Sequence, residues 1–136
     1  MSLETRLDDR ERDLSALVAR IGTLFARVHA ASADPPSWPE VENLLTDGYA
    51  LALELEAERW RIERRMAELA LDRARSGGQT EQRSLGARHA KIDDDIGRLR
   101  SLLKELQHYG RQLPGAPESS PGASRAALAA DLDRSS

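Results

Sequence analysis

The chain has 136 residues, room for one folded unit and a tail. Only 4 % of it is aromatic, so its core must be built from Leu, Ile, Val, Met and Ala, which suits packed helices better than strands rich in β-branched and aromatic residues. A formal net charge of -3 offers no basic excess to a polyanion, and the absence of cysteine removes disulfides, thiol nucleophiles and cysteine-held zinc or iron–sulfur centres.

Met1-Ser2-Leu3-Glu4-Thr5-Arg6 leads into charge where a secretory signal needs an apolar run, and no stretch approaches the roughly 18 apolar residues of a membrane span. A cytoplasmic location is therefore expected. Of the 20 basic residues only Lys91 and Lys104 are lysine, a skew expected of a GC-rich bacterial genome.

The first predicted helix spans about residues 3–31. Its apolar stripe is Leu7, Leu14, Leu17, Val18, Ile21, Leu24, Phe25 and Val28, at about 100° per residue. Pro35-Pro36 ends it by removing donors and excluding helical geometry from the preceding residue. Ser37-Trp38-Pro39-Glu40 then reads as a capping box opening a second helix over about 38–75, with Pro39 harmless in the first turn. Val41, Leu44, Leu45, Leu51, Ala52, Leu55, Ile62, Met66 and Leu69 form its core face.

Ser76-Gly77-Gly78-Gln79 breaks the chain, and Thr80 is the expected cap of a third helix over about 80–110. The seam of this helix, Leu85, His89, Ile92, Ile96, Leu99, Leu103 and Leu106, alternates steps of four and three as in a coiled coil. A short loop makes the second and third helices antiparallel neighbours. Folding back at Gly77-Gly78 places Met66 near His89, Ile62 near Ile92, Leu55 near Leu99, and Gly48 with Ala52 near Leu103 and Leu106. The first helix can lie antiparallel along the second. The predicted fold is all-α: a three-helix bundle over 1–113, dominated by a long coiled-coil-like hairpin. A disordered tail is expected over 114–136, where Pro, Gly and Ser replace the apolar periodicity. Within that tail Leu128 and Leu132 form a possible partner motif.

The second helix is apolar on more than one side. With Leu55 at zero, its core stripe lies within roughly 80°, while Tyr49, Leu53, Ala57, Trp60, Ala67 and Leu71 fall at roughly 120–200°. Three readings compete for this second stripe, the plainest being a lone exposed Trp60 with no role. The stripe packs an intramolecular neighbour if the second helix lies between the other two. Alternatively it stays exposed and serves self-association or a partner helix, as apolar patches rimmed by charge commonly do.

No chemical constellation is complete. Glu105 and His108 have the Glu-x-x-His spacing of di-iron bundles, but such sites need a second copy and further carboxylates. His89 and Asp93 stand four apart with no third ligand indicated by spacing, and Asp93-Asp94-Asp95-Ile96-Gly97 lacks the calcium-loop pattern. No nucleophile elbow or phosphate loop occurs. Arg61, Arg64 and Arg65 share one helical side, and Arg73, Arg75 and Arg83 crowd the hairpin tip, but Glu56, Glu63 and Glu68 interleave with the first group. His89 in a seam and Arg59 on a core side read as structural, the one setting register and the other extending its charge to water. No catalytic, cofactor or metal residue is assigned. The expected function is a non-catalytic protein-interaction module: an adaptor, small chaperone or assembly component, working as a homodimer or against a partner helix. Nucleic-acid binding through the arginine clusters, or a metal-binding bundle, are the alternatives.

Overall fold

The computed structural model describes residues 3–30, 34–72 and 79–117, with side chains of the first helix from Asp8 onward. Among the described residues there are three helices: α1 (Leu3–His29), α2 (Trp38–Leu71) and α3 (Gln79–Arg111). The one-sided periodicities of the sequence set these elements, and the breaks fall where backbone chemistry requires them. Ala30 still donates to the Ala26 carbonyl at 3.0 Å, and α1 stops short of the two prolines. At the start of α2 the Ser37 amide donates to Glu40 Oε2 at 3.3 Å, the return half of the capping box. The second helix ends at Leu71 rather than near Arg75, with the Asp72 amide bonded to the Glu68 carbonyl. The third begins at Gln79, so Thr80 lies inside its first turn and is not the cap. The turn at Gly77-Gly78, with Arg73 and Arg75, lies outside the described residues. Of the tail, residues 114–117 make a turn with Gly115 at φ 85°, and 118–136, with Leu128 and Leu132, lie outside the described residues.

The closest packing is between α2 and α3. They are antiparallel, as the cross-links Arg59–Asp93, Tyr49–Gln107 and Arg65–Glu81 show, since one number falls as the other rises. The register follows the small-on-large expectation. A Cβ on Gly48 would run into Leu103 Cδ2, with Leu103 Cγ and Cδ1 at 3.2 and 3.3 Å, so only glycine lets the helices approach there. Gly110 plays the same part at the other end, where a Cβ would lie 2.7 Å from Val41 Cγ1 and 3.0 Å from Trp38 Cζ3. Gly97, by contrast, faces open space. Gly97→Ala is therefore expected to raise stability by about 0.5–1 kcal/mol, because alanine costs less entropy in a helix and meets nothing. A urea midpoint that falls in this variant would show that the site is more crowded than its geometry implies.

α1 lies antiparallel to α2, through Arg10–Glu54, Arg20–Asp47 and Arg27–Glu40, and parallel to α3, through Glu11–Lys91 and the edge-to-face pair Phe25–Tyr109 at 6.3 Å. It therefore sits in the groove of the hairpin and touches both partners, closing an up-down-up bundle. Leu14, Leu17, Ile21 and Leu24 enter one continuous core with the seams of α2 and α3. The Lys91 ammonium, hydrogen-bonded to Glu11 and facing Asp95, is held above its ordinary pKa. A raised lysine contributes its stabilisation fully below the unfolded-state pKa and loses it only as pH climbs through the folded value, so this tie persists at neutral pH.

Two polar residues depart from the sequence reading. His89 is not enclosed in the seam: it sits at the hairpin edge, 3.0 Å from Glu63. Glu58, which the apolar stripe passed over, is fully buried and paired with Arg61 one turn on. A carboxylate in a core needs such a partner, because desolvation of an isolated charge costs several kcal/mol, roughly. Its position was legible as the step between Leu55 and Ile62, but residue type argued against burial.

Candidate interaction face

Placing α1 in the hairpin groove decides the fate of the second stripe. The layered arrangement, with α2 between the other two helices, does not occur, and no described element covers the far side of α2. Tyr49, Leu53, Trp60 and Leu71 are 46, 68, 59 and 87 % exposed, and Ala57 and Ala67 are exposed between them. All six residues of the candidate face thus lie together on one open side of a single helix. Each is held from behind by core neighbours on the same helix: Leu51, Ala52, Leu55 and Ile62 are buried on the opposite side.

The face has a defined rim. Arg64 lies over the Trp60 ring at 5.4 Å and reaches Glu68 at 3.8 Å. On the α3 side, Glu56 pairs with Arg100, Glu63 with His89, and the Tyr49 hydroxyl donates to Gln107 Oε1 at 3.3 Å. These contacts orient the aromatic side chains without removing them from water. Trp60→Glu is accordingly expected to change the unfolding free energy of the isolated chain by less than about 1 kcal/mol, most of it the lost cation–π contact. A large loss in the thermal melt that does not change with protein concentration would mark Trp60 as core.

The arginine array has acidic company. Arg61 pairs with Glu58, Arg64 with Glu68, and Arg65 with Glu81 at 2.9 Å and Glu68 at 3.3 Å. Arg65 is consequently held above its ordinary pKa by those carboxylates. The candidate metal ligands are separated. His89 is engaged by Glu63, Asp93 by Arg59 at 2.9 Å, and His108 by Gln112 at 3.4 Å. Among the described residues no three His, Asp or Glu side chains gather as a metal site would require, and no helix is long and apolar enough to cross a membrane. A cavity between α1, α2 and α3, lined by Arg10, Leu55, Lys91 and Ile92 among others, holds about 60 Å³, and hollows of about 300–420 Å³ lie as open grooves along the sides of α1.

Fold and surface together define, among the described residues, an all-α three-helix bundle with an uncovered apolar face on α2. In comparisons with family models, with curated proteins and with solved structures, nothing matches this chain.

Proposed function

We propose that this protein is a non-catalytic protein-interaction module, an adaptor, small helical chaperone or assembly component, that works by packing the Trp60 face of α2 against another helix. One observation carries this reading: Tyr49, Leu53, Ala57, Trp60, Ala67 and Leu71 are all exposed along one side of α2. So many apolar side chains on one face cost solubility unless something covers them. The composition of the face favours recognition, since an aromatic anchor flanked by arginine is typical of residues that dominate interface energetics. The physical basis for association is burial of the stripe, with the ion pairs at its rim setting orientation more than affinity.

The test places a photo-crosslinking amino acid at Leu53 in cells, with Thr23 on the exposed side of α1 as the control position. The expected result is a discrete covalent adduct from position 53 and none from position 23. Equal, diffuse labelling from both positions would remove the reading.

A further inference from the structure

We infer that the face is self-complementary and that its partner is a second copy of this chain, paired antiparallel across a two-fold axis at Trp60. This rests on the interaction reading above and names its partner. The pattern is close to palindromic about Trp60: Tyr49 and Leu71 lie eleven residues to either side, and Leu53 and Ala67 seven. Seven and eleven residues are close to two and three helical turns, so all four side chains project within roughly 20° of Trp60. The stripe therefore runs along the axis with apolar positions matched end for end, Ala57 alone facing a charged counterpart, Glu63, three residues beyond Trp60.

A two-fold interface requires such matching, because each patch must meet its own copy. With α2 reversed, Leu53 packs against Ala67 of the second copy and Tyr49 against Leu71. The large-on-small match repeats the Leu103–Gly48 packing seen inside the chain. At the axis the two indoles lie side by side, and Ala57 leaves room for the Arg64 stem that covers Trp60. The acidic side chains near the axis carry cationic partners within each chain, Glu56 through Arg100 and Glu63 through Arg59 at 3.9 Å, which lessens the repulsion between carboxylates that two apposed copies bring together. The exposed fractions of the large residues, with the two alanines, amount to roughly 600 Å² per copy on side chains of these sizes. Complete burial of the stripe in both copies removes at most about 1,200 Å², which just reaches the lower end of stable specific interfaces.

The test uses the full chain. Light scattering across a dilution series is expected to give twice the chain mass of 15.0 kDa for the wild type, and 15.0 kDa for Trp60→Glu with its helical circular dichroism intact. The absence of cysteine makes the geometry readable by disulfides. Leu53→Cys mixed with Ala67→Cys should cross-link on oxidation. Leu53→Cys alone should not, since its two copies stand roughly 21 Å apart along the axis. A wild-type mass of 15.0 kDa at every concentration, or self-cross-linking of Leu53→Cys, overturns the proposal. A monomeric mass with an adduct to a different protein from position 53 leaves the interaction reading standing and removes only the second copy. A monomer in which Trp60→Glu melts far lower removes both.

Discussion

Replacing Gly48 with leucine is expected to destabilise the bundle by about 3 kcal/mol, at the upper end of what overpacking a close helix contact usually costs. Helix propensity alone predicts the opposite sign, because leucine is the better helix former by nearly 1 kcal/mol, roughly. The clash prevails because the new side chain points at Leu103, which is itself buried and cannot swing into solvent. Urea denaturation should show a lower midpoint with an unchanged slope, since the surface exposed on unfolding is similar. Leu103→Ala introduced together with Gly48→Leu should recover part of the loss, and the two effects should be strongly non-additive, as contacting residues are. Additive effects would mean that the two positions do not touch. Gly97→Ala supplies the contrast: the same element and the same residue type, but an expected gain, because nothing stands where its Cβ would go.

Ile21→Ala is expected to cost about 2–4 kcal/mol, the usual range for truncating a fully buried aliphatic side chain. Ile21 is the most enclosed of the described side chains of α1. Its loss acts mainly on docking of that helix, because α1 enters the core through one stripe while α2 and α3 pack more closely against each other. Native-state hydrogen exchange should therefore show α1 amides losing protection first, with the central amides of α2 and α3 retaining more. Uniform loss of protection across all three helices would show that the hairpin does not hold together without α1.

Much of the fold was legible because helix periodicity is a local property. The stripe of Leu14, Leu17, Ile21 and Leu24, the Ser37–Glu40 cap and the seam from Leu85 to Leu106 each announce their element within a few turns. The hairpin register was legible for the same reason: one short connection and two matched seams leave one antiparallel alignment, and Gly48 against Leu103 marks it. Helix ends were less so. α2 stops at Leu71, four residues before the predicted end, because beyond Leu69, which still packs on the core, the sequence offers no large apolar residue on that side to dock a further turn.

The candidate face stands differently. Sequence spacing alone determined that Tyr49, Leu53, Ala57, Trp60, Ala67 and Leu71 share one side of one helix, since that needs only 3.6 residues per turn. Whether a neighbour covers that side depends on where a third, separately amphipathic helix docks, and an apolar stripe has the same spacing whether it meets core or water. Only the tertiary structure decided it, by seating α1 in the groove where Arg10, Arg20 and Arg27 reach α2 and Lys91 of α3 reaches Glu11. The same packing enclosed Glu58 and moved His89 to the edge. Burial is a property of the assembled elements, and periodicity records only which residues travel together.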